Sequence, residues 1–224
     1  MAIENRILFV EGADDQHTIW ALCEHFKVKE NFSVEIPDGN GKINRKLLSG
    51  EKGGINNVLK AARLNLVAGS DAVERLGIVI DADEDLQARW QSVVSILTEA
   101  GYQNLPDSPD VNGTVVTQSY LPTFGVWIMP DNKIRGMLED FLAFLVPTND
   151  VVWQKAVDCS KEVLGIQSDA FSENQLSKAT IHAYLAWQKD CGKPFGQAIT
   201  AKYLQADNPK CEAFIGWLKQ LFVD

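Results

Sequence analysis

Three carboxylates stand directly after two apolar runs, where the end of a strand could present them to a ligand. Glu11 follows Arg6–Val10, and Asp81 and Asp83 follow Leu76–Ile80. In an open parallel sheet, ligands bind beyond the carboxyl ends of the strands, at the point where the strand order reverses. Because side chains alternate along a strand, an i, i+2 pair such as Asp81 and Asp83 is predicted to point to one side. We therefore expect the three carboxylates to form one acidic site.

The chemistry that suits such a site is the binding of a hard divalent cation. Carboxylates brought close together repel one another unless they are protonated or bridged by a cation. An all-oxygen ligand set favours Mg²⁺ or Mn²⁺ over zinc. Glu139 is a further candidate ligand, because it lies in an apolar helical segment where an inward carboxylate is costly unless a metal or a base pairs with it. Glu139 is as well interpreted as a further member of the acidic site as not, while Asp140 is expected to be exposed.

Helix capping is the competing interpretation of the two aspartates that follow the second run. Asp and Glu are common at the start of a helix, and a helix is predicted to begin near Leu86. Capping leaves Glu11 unexplained, however, so a metal site is the more economical interpretation. Glu84 and Asp85 are better explained as surface and helix-cap residues than as metal ligands.

Strands and helices alternate along the first part of the chain at the lengths that an α/β sheet requires. Short apolar runs predict strands at 6–10, 33–36, 76–80, 114–118 and 124–129. Apolar residues at helical spacing predict helices at 14–26, 55–66, 86–100, 134–145, 151–164, 173–190 and 208–222. We predict an α/β fold in which a mostly parallel sheet flanked by helices forms residues 1–130. A helical extension packed on it would form residues 131–224.

The composition sets limits on the fold and on the location of the protein. The chain has 224 residues, 46% hydrophobic and 23% charged, which is enough for one large domain or a domain with an appended subdomain. Its four cysteines lie far apart, which predicts a reducing cytoplasm and argues against a structural zinc site. No apolar run reaches the length of a membrane span, so no membrane association is expected.

The net charge of -9 bears on the partners that the chain can have. Non-specific binding to a nucleic-acid backbone depends on Lys and Arg that displace counterions, and an acidic chain works against it. We therefore expect a nucleic-acid or nucleotide partner to be contacted locally or with the help of a metal ion.

The two acidic motifs, taken in order, resemble the signature motifs of the Toprim domain. These motifs are V-E-G at 10–12, after the first apolar run, and I-V-I-D-A-D at 78–83, which includes the end of the second. The resemblance covers roughly Asn5 to Pro130. The G-M-L-E-D element at 136–140 and the G-K-P-F-G-Q-A-I segment at 192–199 look like a small bacterial Toprim-related family of unknown function, distantly similar to OLD-type nucleases.

The Toprim resemblance implies an activity and roles for individual residues. Glu11 would serve as general acid or base or as a metal ligand, while Asp81 and Asp83 would hold Mg²⁺ for transfer or cleavage of a nucleic-acid phosphodiester bond. The metal would position the phosphate and neutralise its charge. The sequence shows no topoisomerase tyrosine context, no zinc ribbon and no ATPase motif. A homodimer partner or another protein could supply such missing functions.

Basic and glycine-rich positions are the candidates for binding the phosphate. Lys42 and the pair Gly53-Gly54 lie in a Gly- and Lys-rich stretch before a predicted helix, whose free N–H groups could receive a phosphate. Gly12 follows the first strand, and Lys193 lies in a G-K-P turn, where it could balance phosphate charge as in related nucleases. A solvated loop and a surface turn are the alternative interpretations of the two lysine positions.

Two other function classes remain open. A binding or regulatory module could keep the metal site for a nucleotide or a phosphorylated ligand without turning it over. A receiver-like phospho-acceptor domain is compatible with Asp81 at a strand end and with Asp14 and Asp15 after the first strand, where either could also be a helix N-cap. Glu11 at the first strand end argues against it. A D-x-D-x-[TV] phosphatase is less favoured, because Asp85 stands where Thr or Val is expected.

Overall fold

A mostly parallel sheet forms the centre of the protein. A computed structural model describes residues 5–29, 31–40, 53–68, 73–166 and 171–223. Within them the sheet contains β1 (Arg6–Phe9), β2 (Ser33–Glu35), β3 (Arg75–Asp81), β4 (Thr114–Val116) and β5 (Thr123–Met129). The strand order is β2-β1-β3-β5-β4, and neighbours pair in parallel except for β4 with β5. The predicted α/β fold is confirmed, and each predicted strand is found.

Helices cover both faces of the sheet and dominate the second part of the chain. They are α1 (Ala13–His25), α2 (Gly54–Ala68), α3 (Leu86–Glu99), α4 (Leu138–Ala143), α5 (Val151–Ile166), α6 (Leu176–Ala186), α7 (Phe195–Thr200) and α8 (Pro209–Phe222), with a 3-10 turn at Glu173–Gln175. The start of α8 agrees with its sequence, since Asn208 caps it and Pro209 occupies its first turn. No described helix is long and apolar enough to cross a membrane.

The segment between β5 and α4 differs from its predicted structure. The apolar spacing predicts a helix from residue 134, whereas α4 begins at Leu138. The turn before it contains Asn132 at φ 60° and Gly136 at φ 139°, and backbone of this kind interrupts a helix. Asp131 stabilises the turn by accepting two of its backbone N–H groups. The prediction also misses α7, whose 6 residues are too few to show a helical period.

Two hydrophobic clusters fill the two faces of the sheet. Helices α2 and α3 pack on one face, and α1, α4, α6, α7 and α8 contribute to the cluster on the other. Gly77 of β3 and Gly125 of β5 leave room for Leu221 of α8, because an added Cβ would lie 2.9 or 2.4 Å from the leucine side chain. All five strands lie before residue 130, and the helices that follow it share one of the two clusters with the sheet.

The strand order reverses at β1, and the reversal creates a crevice at the carboxyl ends of β1 and β3. The chain passes from β1 to β2 on one side and then to β3 on the other. The connections that leave these two strands diverge, and open α/β sheets bind ligands at such a point. Glu11 follows β1 closely and Asp81 is the last residue of β3. Both candidate residues therefore lie at the crevice.

Candidate functional site

Glu11 is held between the end of β3 and the start of α2. Its Oε1 atom accepts a hydrogen bond from the Asp81 N–H at 2.9 Å, and the Ile55 N–H in the first turn of α2 also donates to its carboxylate. The Glu11 carbonyl oxygen accepts the Gly54 N–H at 2.8 Å. A Cβ at Gly53 would lie 2.3 Å from that oxygen, so this close approach requires glycine. The N-terminus of α2 is therefore built onto Glu11.

This arrangement changes the role expected of the two glycines at the start of α2. Their sequence predicts free N–H groups that receive a phosphate, but Glu11 accepts the N–H groups of Gly54 and Ile55. The protein's own oxygens thus occupy two of the donors that a ligand would need. Lys42, the basic residue predicted to act with them, lies outside the described residues.

Asp81 connects the end of β3 to the start of α4. Its Oδ1 atom accepts the Leu138 N–H, at the first position of α4, at 3.0 Å. The pKa of Asp81 lies well above its usual value because burial disfavours the charged form, and Asp15, Glu11 and Glu139 add repulsion. Burial likewise raises the pKa of Glu11. These carboxyl groups are therefore close enough to compete for ionisation.

Asp15 belongs to the site, although its sequence suggests no more than a helix cap or a receiver-like acid. It is the third residue of α1 and is buried, whereas the N-cap is Gly12. Burial and the nearby Glu11 and Glu139 raise the pKa of Asp15 to about 8. The backbone N–H groups of Gly12 and Asp15 partly offset this rise in the pKa of Asp15. An acidic residue at the third position of a helix is the sequence feature that could have identified Asp15.

Glu139 and Lys178 bring the C-terminal helices into the site. Glu139 lies in the first turn of α4 and is 4% exposed. Lys178, on α6 and half-exposed, places its Nζ atom 2.7 Å from Glu139 Oε1. This hydrogen bond raises the pKa of Lys178, and the charges of Asp14 and Asp81 act in the same direction. The inward position and the base partner expected for Glu139 are both found, but nothing in the sequence marks Lys178 as that base.

Two other predicted site residues are not buried with these carboxylates, although the charge of Asp83 still raises the pKa of Glu11 and Asp81. Lys193 pairs at 3.5 Å with Asp190 in the turn before α7, and no described contact joins it to the site. Asp83 has a φ of 51° and its backbone pairs with Gly136, so strand alternation ends at Asp81. The Asp83 side chain is 51% exposed and forms an ion pair with Arg89. The strand alternation from which a shared direction of Asp81 and Asp83 was predicted therefore does not extend to Asp83.

A groove of about 760 Å³ opens on the Asp83 side of the site. Arg89 of α3 and Arg135 of the turn before α4 line it, together with the backbone of Gly136 and the polar side chain of Asn174. Asp85 also lines it and caps α3 by accepting the Ala88 N–H at 2.9 Å, as its sequence predicts. The groove adjoins the buried carboxylates because the same two chain segments contribute residues to both.

The N-termini of α1, α2 and α4 converge on the carboxylates. Asp15 lies in the first turn of α1, Glu11 accepts from the first turn of α2, and Asp81 accepts from the first turn of α4. A helix N-terminus stabilises a negative charge by typically about 0.3–1 kcal/mol. Burial of several neighbouring charges costs more than that, which agrees with the raised pKa values. The site therefore retains protons when no cation is bound.

The donor types suit a hard divalent cation, but the described geometry is not a finished metal site. Carboxylate oxygens from Glu11, Asp15, Asp81 and Glu139 are the ligands that Mg²⁺ and Mn²⁺ prefer. Within residues 5–29, 31–40, 53–68, 73–166 and 171–223, no group of three His, Cys, Asp or Glu side chains is arranged to hold a metal ion. A cation would have to displace protons and turn carboxylates away from backbone N–H groups.

The chain matches the model of a protein family over almost its whole length. A family model described as "Protein of unknown function (DUF3226)" matches residues 5–223. No curated protein and no solved structure matches the chain. The match spans both the sheet and the C-terminal helices.

Proposed function

This chain belongs to the DUF3226 family of proteins of unknown function, and we propose that it is a Toprim-type protein that acts on nucleic-acid phosphodiester bonds with a divalent metal. The supporting observation is the meeting of Glu11, Asp15, Asp81 and Glu139 at the crevice of the sheet, beside a groove that contains arginines. Carboxyl groups that raise one another's pKa are frequent at functional sites. Stability does not require them, since apolar residues fill buried space at lower cost.

The residues of the site divide into three roles in this proposal. Asp15 and Asp81 would hold Mg²⁺ or Mn²⁺, and Glu11 would join them or act as general acid or base. Lys178 pairs with Glu139 and so limits the negative charge of the site. Arginine in the groove would orient the phosphate. The bound metal would supply charge neutralisation and an activated water.

The test is a pair of measurements on wild-type protein and Asp81→Asn. We expect the substitution to remove most Mn²⁺ affinity in a calorimetric titration, because a ligand is lost. Thermal stability should rise or barely change, since relief of carboxylate repulsion offsets the lost contacts. Incubation with single-stranded, linear duplex and supercoiled nucleic acid in Mg²⁺ or Mn²⁺ should give cleavage by the wild type and none by Asp81→Asn.

Asp107→Asn is the matched control, because it makes the same substitution at an exposed aspartate whose side chain has no described partner. It should bind Mn²⁺ and cleave like the wild type. Full Mn²⁺ affinity in Asp81→Asn would contradict a metal site at Asp81.

A non-catalytic module for a nucleotide or phosphorylated ligand is the second candidate function. It is favoured by the contacts that already engage the carboxylates, namely the hydrogen bonds from the Leu138 N–H to Asp81 and from the Asp81 N–H to Glu11. Binding of metal and phosphate without cleavage of any substrate would support it. A receiver-like phospho-acceptor fits less well, because an attacking aspartate must be ionised and the pKa of Asp81 is raised.

A further inference from the structure

The groove beside Asp83 is a pocket of the size that small ligands occupy. Its volume of about 760 Å³ lies within the range of roughly 300–1,000 Å³ that is usual for ligand sites. Ser92, Ser177 and Asn174 add polar side chains to its lining, and they already donate hydrogen bonds to the Ala88 carbonyl oxygen, Asp140 and Glu84 respectively. The lining is therefore polar, and its two serine oxygens can still accept a hydrogen bond from a ligand.

The two arginines of the groove differ in how far other residues of the protein pair with them. Arg135 is exposed and forms no ion pair or hydrogen bond with another described residue. Arg89 pairs through one terminal nitrogen with Asp83, while its Nε is buried without an acceptor. A buried donor without a partner is costly. An anion in the groove could offer the Arg89 Nε an acceptor if the guanidinium moved outward. Both side chains thus have donors for a ligand.

Most acidic side chains of the groove have partners within the protein, whereas the exposed Glu173 has no described partner. Asp85 accepts the Ala88 N–H, and Asp140 accepts the Met137 N–H at 2.9 Å. Glu84 accepts from the Asn174 side chain. Their charge still surrounds the groove and disfavours a duplex, whose dense phosphates require a broad basic surface. A ligand with one or two phosphates is the better fit.

We propose that this groove binds the terminal phosphate of a nucleotide unit, with Arg89 and Arg135 as the residues that recognise it. The proposal rests on the proposed function and gives its substrate class, a phosphate-bearing single-stranded end or a free nucleotide rather than the interior of a duplex. Arg89 connects this groove to the buried carboxylates, because it pairs with Asp83, two residues after Asp81 at the end of β3. Asp83 is the counter-ion that the phosphate replaces on Arg89.

The test measures binding in EDTA, so that it does not depend on metal-assisted cleavage. Fluorescence anisotropy compares a labelled oligothymidylate of four nucleotides with a 5′-phosphate against the same strand with a 5′-hydroxyl. We expect the wild type to prefer the phosphorylated strand by about tenfold, the value for a charge-assisted hydrogen bond. Arg135→Gln and Arg89→Gln should each remove most of this preference. Lys133→Gln, which removes an exposed positive charge two residues from Arg135 but outside the groove lining, should keep it.

Asp83→Asn is a second variant that tests the same proposal, and it should change the affinity for the phosphorylated strand in the opposite direction. It leaves Arg89 without its carboxylate partner, so affinity for the phosphorylated strand should rise. This result does not depend on the folding of Arg89→Gln, whose partly buried side chain makes that variant less secure. A lower affinity for the phosphorylated strand in Asp83→Asn would overturn the proposal.

Competition identifies the source of the phosphate. Thymidine 5′-monophosphate that competes as well as the phosphorylated strand indicates a free nucleotide, and competition by the strand alone indicates a strand end; both support the groove. Equal affinity for phosphorylated and hydroxyl strands, or arginine variants that keep the preference, would overturn it. Phosphate binding without cleavage after Mg²⁺ is added would leave the groove intact and count against the nuclease proposal alone.

Discussion

Burial and mutual repulsion decide the protonation of Glu11, Asp15 and Asp81. The pKa of each is raised, with burial as the largest cause, and the neighbouring carboxylates add to the effect at Asp15 and Asp81. A cation that binds there must expel protons, so its affinity should increase with pH. The side chains that would hold a metal are thus in competition with protons near neutral pH.

Asp15→Asn tests this competition through the pH dependence of stability. Asp15 has a pKa of about 8 in the folded protein, against 3.8 for an ordinary aspartate. Its protonation therefore stabilises the fold fully below about pH 4, and this contribution is lost as the pH rises towards 8. Asparagine cannot ionise, so the variant should lose less stability between pH 5 and 8. At pH 8 it should be more stable than the wild type, which has lost this contribution.

Urea denaturation in EDTA at several pH values measures this difference as free energies of unfolding. Asp107→Asn is again the control, and its curve should follow that of the wild type. An Asp15→Asn curve as steep as the wild-type curve would mean that Asp15 is ionised in the folded protein throughout this range.

At the scale of elements, the ends of strands and helices place the site more than their interiors do. β3 ends at Asp81, and the left-handed backbone of Asp83 turns the chain so that it pairs with Gly136. That pairing sets the start of α4 and with it the position of Glu139. A change at Gly136 should therefore affect both the fold and the site.

Gly136→Ala should destabilise the protein by about 1–3 kcal/mol. Gly136 has a φ of 139°, and an added Cβ would lie 2.6 Å from the carboxylate of Asp140, which caps α4. Gly165→Ala is the matched control, since Gly165 lies within α5 and its Cβ would meet nothing within 4 Å. The control should be neutral or stabilise by up to about 1 kcal/mol. Thermal unfolding of both variants gives the comparison, and equal effects would contradict a special role for the turn.

At the scale of the whole molecule, the C-terminal helices are part of the core that supports the sheet. Leu221 of α8 is fully buried against Gly77 and Gly125, and Lys178 of α6 reaches the carboxylates. The sheet and the helical part should therefore unfold together rather than in two steps.

Leu221→Ala should lower the free energy of unfolding by about 2–5 kcal/mol, the usual cost of a cavity in a core. Urea denaturation followed by tryptophan fluorescence and by far-ultraviolet circular dichroism should give coincident transitions for the wild type and the variant. Ile166→Ala is the control, because Ile166 is 74% exposed, and it should stay within about 0.5 kcal/mol. Two separate transitions would mean that the helices form an independent unit.

The sequence by itself determined the elements and the first two members of the site. Apolar runs and helical spacing are local patterns, so the strands and most helices were predictable within a few residues. Glu11 and Asp81 were predictable because a parallel sheet brings strand ends together at one edge. Strand alternation did not predict the position of Asp83, because the left-handed backbone at this residue ends the alternation.

Only the tertiary structure decided which further side chains meet at the crevice. Asp15, Glu139 and Lys178 lie on three helices far apart in the chain, and they come together because those helices pack on one face of the sheet. The same packing encloses Asp15 and gives it a pKa that no local pattern records. Contacts across long sequence separations depend on which faces are buried against each other, and the sequence pattern of each helix shows only that it has such a face.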